Sequence, residues 1–215
     1  MTALVIARNT FREAIRDRVL AGVAGAGLVL LALTQLAGTL ALGEGLRLTV
    51  DLGLSGISLL GLLVVLLVGT SLVAKEIERR TVYGLLSRPI PRHVYLLGKW
   101  LGLAAALWVL AAGLGAALWA LVALKGHAGY AASLVEAVGL AGLELTVVTS
   151  IAVLFSALST PVLSALYTLG LTLAGQWCDD LRRFAQHFPG ALRGTMEFVA
   201  NLMPNLTLFN MRSLA

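Results

Sequence analysis

The sequence predicts an all-α fold of the polytopic membrane kind. The expected architecture is a bundle of five spans, with an N-terminal interfacial elbow helix, a cytoplasmic helical segment between spans two and three, and short outer amphipathic helices. Four observations carry this. Hydrophobic residues make up 59% of the 215-residue chain and charged residues only 13%, against about 25% charged in a soluble domain. Mean hydropathy is +0.91. Five apolar runs have the length needed to cross a bilayer, about 20 residues. The basic residues gather beside those runs, as orientation signals do. The net charge of +5 is therefore read as topology, and no nucleic-acid partner is expected.

The elements follow in order. "MTALVIARNTFREAIRDRVL" sets Leu4, Ala7, Phe11, Ala14, Ile15 and Val19 against Arg8, Arg12, Arg16 and Asp17. That pattern predicts an amphipathic elbow helix over residues 1–18, lying in the cytoplasmic interface and turning into the first span. The arm has the wrong character for a cleavable signal peptide, and no small-residue cleavage site follows it. The spans are expected over Val19–Leu42, Leu52–Ala74, Leu101–Leu124, Ala131–Leu158 and Pro161–Trp177. Thr160-Pro161 makes the turn between the last two, because proline disfavours helix in the residue before it. Arg8, Arg12, Arg16 and Arg18 precede the first span. Lys75, Arg79, Arg80, Arg88, Arg92 and Lys99 lie between the second and third. Together these are ten of the 16 Lys and Arg, which predicts that the N-terminus and the segment 75–100 are cytoplasmic. Residues 179–212 are too charged to span. They are broken at Pro189-Gly190 and Pro204-Asn205, and are expected as short amphipathic helices on the outer face.

The segment "KEIERRTVYGLLSRPIPRHVYLLGKW", Lys75 to Trp100, is longer and stiffer than a loop needs to be. Glu76 and Glu78 precede Arg79 and Arg80, an order that suits a short helix starting near Lys75. Pro89 and Pro91 stop that helix and set a corner. His93–Trp100 restarts the helix and feeds the third span. The expected product is a charged knob shaped to press into a partner's groove. The plainer alternative is a loop whose positive charge only holds it on the inner side.

The pattern E-x-x-x-x-T-x-x-x-L-L-S-R-P-I-x-R from Glu76 to Arg92 resembles the cytoplasmic coupling segment of ABC-2-type transporter permeases. It looks most like the branch containing the nitrous-oxide-reductase maturation permease. "IARNTFREAIRDRVL" resembles that branch's elbow helix, and "PNLTLFNMR" the stretch before its last span. The resemblance implies a single transmembrane permease domain over 1–215. It also implies a second permease copy and two copies of a cytoplasmic ABC ATPase, which would bind the ATP and Mg. This chain has no G-x-x-x-x-G-K-[ST] of its own and is expected to bind no cofactor. By the same resemblance, Glu76, Thr81, Leu85, Leu86, Ser87, Arg88, Pro89 and Arg92 form the ATPase-coupling set. Leu85 and Leu86 would anchor it, Arg88 and Arg92 would make ionic contacts, and Pro89 would turn the corner. The family pattern has a sixth span after "PNLTLFNMR", so either the chain continues past Ala215, which is the favoured expectation, or this member lacks that helix. The location implied is a bacterial or archaeal cell (inner) membrane, crossed several times.

Charge inside a bilayer is costly and usually faces protein or water. Glu144 lies about 12 Å deeper than Glu136 at 1.5 Å per residue, near mid-membrane, and Thr146, Thr149 and Ser150 follow it. It is read either as part of a polar path or as a hydrogen-bonding residue between helices. Glu136 is read as a headgroup-level residue. Ser58 with Ser55, Thr70 and Ser71 in the second span, and Thr168, Thr172 and Gln176 in the fifth, form weaker stripes. They either face a path or serve packing. The tryptophans read as interfacial anchors and packing. His93, His127 and His187 are too scattered for a metal site, and Cys178 has no cysteine partner. No Ser/His/Asp set or carboxylate pair supports catalysis, so the chain is not expected to be an enzyme. The main functional expectation is the membrane half of an ATP-driven exporter. The alternatives are a membrane anchor or mechanotransmission subunit driving a periplasmic partner, and a secondary transporter coupled through Glu144. The apolar spans favour lipid-like or amphipathic cargo.

Overall fold

Asp17 divides the N-terminal region into two helices. The computed structural model describes residues 2–40, 45–71, 91–126, 128–185, 201, 204 and 206–209, and every regular element among them is helical. Helix α1 (Thr2–Arg16) stops at Asp17, whose carboxylate accepts the Val19 backbone N–H at 2.9 Å. This is an N-cap: the side chain satisfies an amide that the first turn of α2 (Arg18–Leu40) leaves without a backbone partner.

Helix α2 runs antiparallel to α3 (Gly45–Val64), with Leu30 seated at Gly56 and Leu60 at Gly27. α3 starts seven residues before the expected Leu52, so Arg47 and Asp51 lie in its first two turns. Hydropathy marks where side chains turn apolar. The backbone ladder continues past that point, because a helix carries its own hydrogen bonds through the headgroup layer. α3 widens into a π turn over Val65–Gly69, where the Thr70 N–H reaches back to the Val65 carbonyl at 3.2 Å.

Helix α4 (Arg92–Leu124) has 33 residues and is the axle of the bundle. At 1.5 Å per residue it is about 50 Å long, against a hydrocarbon core of about 30 Å. Leu103, Leu107, Leu114, Leu118 and Val122 are all buried along it, at the helical spacing of an inward face. Its neighbours approach closely because they offer glycine. A Cβ at Gly53 of α3 would stand 2.6 Å from a Leu118 methyl, and one at Gly27 of α2 would stand 2.7 Å from a Leu114 methyl. α5 (Ala131–Leu158) covers the expected fourth span residue for residue.

Among the described residues, four helices are long and apolar enough to cross a membrane, over Arg18–Gln35, Gly45–Gly69, Arg92–Leu124 and Ala131–Leu158. The fifth expected run forms α6 (Pro161–Gln176), capped by extended Thr160, and has 16 residues. That is roughly 24 Å, shorter than the hydrocarbon core. α7 (Cys178–Ala185) follows, then a 3₁₀ turn at Leu206–Phe209. Leu206 is buried against Gly175 of α6. The expected coupling helix and the middle of the outer segment, residues 72–90 and 186–200, lie outside the described residues.

Candidate functional site

Of the coupling set, Glu76, Thr81, Leu85, Leu86, Ser87, Arg88 and Pro89 lie outside the described residues, and Arg92 lies within them. Arg92 is exposed and opens α4 directly after Pro91, whose backbone is extended at φ −64°, ψ 138°. The Pro91 carbonyl accepts the Val94 and Tyr95 N–H groups at 3.0 and 3.3 Å. The corner therefore passes straight into the long helix. On the other side of the segment, the π turn ends at Thr70. The Thr70 carbonyl accepts the buried Ser156 hydroxyl of α5 at 2.7 Å, across 86 residues of sequence. The wide turn takes the Thr70 N–H away from the Leu66 carbonyl, which accepts the Thr70 hydroxyl instead.

The elbow helix docks on this end of α4. Gly98 and Gly102 form a small-x-x-x-small notch. A Cβ at Gly98 would stand 2.8 Å from Ile6 Cβ, and one at Gly102 would stand 2.5 Å from the Ala7 carbonyl oxygen and 2.6 Å from Thr10 Cβ. Thr10 and Ala14 are buried there. Lys99, between the two glycines, is 4% exposed, and its ammonium lies 5.9 Å from the Tyr95 ring centroid. Arg8, Arg12 and Arg16 are exposed. The apolar residues of α1 thus divide between two faces. Ala14 joins the notch, while Leu4 and Ile15 stay open beside the arginines. Alternation of polar and apolar residues reveals an amphipathic helix. It does not reveal the small-residue face that packs on protein.

The intramembrane polar residues gather mainly between α4, α5 and α6. Glu144 is 8% exposed, and its Oε1 accepts the Gln176 side-chain amide at 2.7 Å. Thr146 Oγ1 accepts the Trp108 indole N–H at 3.1 Å and donates to the Gly142 carbonyl at 2.8 Å, while the Trp100 indole donates to the Thr146 carbonyl at 3.3 Å. Thr149 is fully buried and donates to the Leu145 carbonyl at 2.6 Å. Thr168 and Thr172 are buried, each donating to the carbonyl four residues back at 2.7 Å. Ser150 follows Thr149 on α5 but is exposed and donates to the Val147 carbonyl at 2.6 Å, and Ser58 is half-buried on α3, outside this cluster. Glu136 is exposed near the start of α5.

Sequence reasoning missed the pairing of Glu144 with Gln176 and the two indole donors to Thr146. The first had a signal. Thr160 is the pivot of the α5–α6 hairpin, and Glu144 and Gln176 lie equally far from it on either side. An antiparallel hairpin sets such residues at similar depth. The indole donors had no sequence signal, since tryptophan at these depths reads equally well as an anchor.

Among the described residues no group of three His, Cys, Asp or Glu side chains could hold a metal. The sequence matches the family model of the ABC-2 family transporter protein over residues 4–177. The chain belongs to the ABC-2 transporter family. The match runs from α1 to the end of α6, so the elbow, the axle and the Glu144 cluster of this ABC-2 permease all fall inside it. No curated protein matches the chain significantly. As a member of this family the protein is a membrane permease component of an ABC transporter, and the family works with a separate ATPase subunit.

Proposed function

We propose that this permease is the membrane half of an ATP-driven exporter. Two copies would work with two cytoplasmic ATPase chains that bind ATP and Mg. Its motifs are similar to those of the nitrous-oxide-reductase maturation branch. Five spans with a cytoplasmic N-terminus fit the ten basic residues around the elbow and the 75–100 segment, with α6 as a short fifth span. The observation that carries the reading is the unbroken α4. Its 33 residues begin one position after Pro91, so about 20 Å of helix extends beyond the hydrocarbon core. A push on the Arg92 end moves a rigid rod, and the rod is the centre of the bundle. Glu76, Thr81, Leu85, Leu86, Ser87, Arg88, Pro89 and Arg92 would receive that push from the ATPase.

Replacing Glu76 and Arg88 together with glutamine tests this. Substrate-stimulated ATPase and transport should fall, with membrane insertion of the permease unchanged. Normal ATPase and transport in the double variant would overturn the coupling assignment. A second reading, mechanical work on a periplasmic partner without passage of a substrate, draws support from the outer segment. Leu206 is 2% exposed against α6, so the outer segment is tied to the spans and would move with them.

A further inference from the structure

The elbow helix presents more than a generic basic face. An open groove of about 430 Å³ includes Phe11, Arg12, Ile15 and Arg16 in its lining. All four lie on α1, which gives the groove an apolar strip and, beside it, two guanidinium groups one helical turn apart. At 100° per residue Phe11, Leu4 and Ile15 fall on one strip, and Arg8, Arg12 and Arg16 on the strip beside it. Of the acidic neighbours, Asp17 caps α2 through the Val19 N–H, and Glu13 lies about 100° round the helix from Arg12 and about 60° from Arg16. Among the described residues, none of the three arginines has an ion-pair partner, and all three are exposed.

The depth of the groove also fits. Gly102 holds Thr10 and Phe11, and the next residue, Leu103, packs on Gly69 at the end of the π turn. The groove therefore sits at the level where the second membrane helix ends. A paired cationic edge beside an apolar strip at that level matches a phosphate with a chain attached. We infer that α1 seats one anionic phospholipid, with its phosphate between Arg12 and Arg16 and an acyl chain over Phe11 and Ile15. That the lipid belongs to the cytoplasmic leaflet rests on the topology proposed above. The seat itself rests on neither that topology nor the ATPase.

The test uses the full chain, purified in mild detergent without its ATPase. Individual lipid-binding events are resolved by native mass spectrometry with added phosphatidylglycerol or phosphatidylcholine. Phosphatidylglycerol should bind more tightly than phosphatidylcholine. In the R12Q/R16Q variant its affinity should fall roughly 25-fold, given about fivefold per arginine near an anionic phosphate surface. Phosphatidylcholine binding should not change, which also shows that the variant is folded. R12K/R16K should keep most of the preference, and single R12Q and R16Q should each lose part of it. Equal affinity for the two lipids in the parent protein overturns the inference, as does unchanged phosphatidylglycerol affinity in R12Q/R16Q. Displacement by millimolar inorganic phosphate reduces the site to a simple anion site. A variant that keeps its lipid preference but no longer co-purifies with the ATPase assigns the arginines to that protein. Both results overturn the lipid seat.

Discussion

The docking of α1 on α4 can be tested by adding a single methyl group. At Gly102 a Cβ would stand 2.5 Å from the Ala7 carbonyl oxygen, 2.6 Å from Thr10 Cβ and 3.1 Å from the Phe11 nitrogen. Two of these are backbone atoms, so no rotamer change relieves the contact. Restoring ordinary contact requires α1 to move by roughly an ångström, and a gap of 0.5–1 Å forfeits about a quarter to a half of each dispersion contact it opens. Gly113 on the same helix has nothing within 4 Å of a built Cβ. Gly→Ala raises helix propensity equally at both positions, by about 1 kcal/mol. The difference between Gly102→Ala and Gly113→Ala therefore isolates the steric cost, about 1–3 kcal/mol for overpacking. For a chain of this size that is a gap of about 3–10 °C in thermal unfolding. The assay is unfolding of the two purified variants in one detergent, with limited trypsin digestion alongside. Cleavage after Arg8, Arg12 and Arg16 should speed up in Gly102→Ala alone. Equal unfolding temperatures and equal digestion would refute the reasoning and detach the elbow from the axle.

Further outcomes follow from the same packing. A cysteine at Ser87 should be labelled only from the cytoplasm and one at Gly190 only from outside; labelling of both from one side rules out five spans before the outer segment. Glu144→Gln should produce a partial transport defect with assembly intact, whereas Glu144→Leu should impair assembly by leaving the Gln176 amide without its acceptor. Normal transport and assembly in both variants would remove Glu144 from either role. Ser156→Ala should destabilise the protein by roughly 0.5–1.5 kcal/mol, the net worth of the hydrogen bond it removes from the Thr70 carbonyl; unchanged stability would mean that this bond contributes nothing.

Helix identity was the legible part of this molecule, because a bilayer imposes its own length and composition on whatever crosses it. Ala131–Leu158 could be bounded to the residue, since Tyr130 and the Ser159-Thr160 turn end the apolar run sharply on both sides. Gly45 could not be recognised as the start of α3, because Arg47 and Asp51 break the apolar pattern but not the helix. The π turn had no signature either. Val65 to Gly69 reads "VLLVG", which suits any membrane helix, and the wide turn is held by Ser156 from a distant part of the chain. The polar cluster was half visible. Glu144 announced itself by its cost in a bilayer, while its environment depended on hairpin register and on where Trp100 and Trp108 point.

These hidden features share a location that gives them a common consequence. The π turn, the Ser156–Thr70 hydrogen bond and the Gly98–Gly102 notch all lie at the ends of the two helices that flank residues 72–90. One flank, α4, is a regular helix clamped by α1 through backbone-close contacts. The other, α3, ends in a wide turn that is held across to α5 by the hydrogen bond from Ser156 to the Thr70 carbonyl. A force entering between them meets a stiff lever on one side and a joint with an exchangeable hydrogen bond on the other. Under the proposed function the α4 side would transmit displacement, and the π turn would absorb the register change that displacement imposes on the second membrane helix.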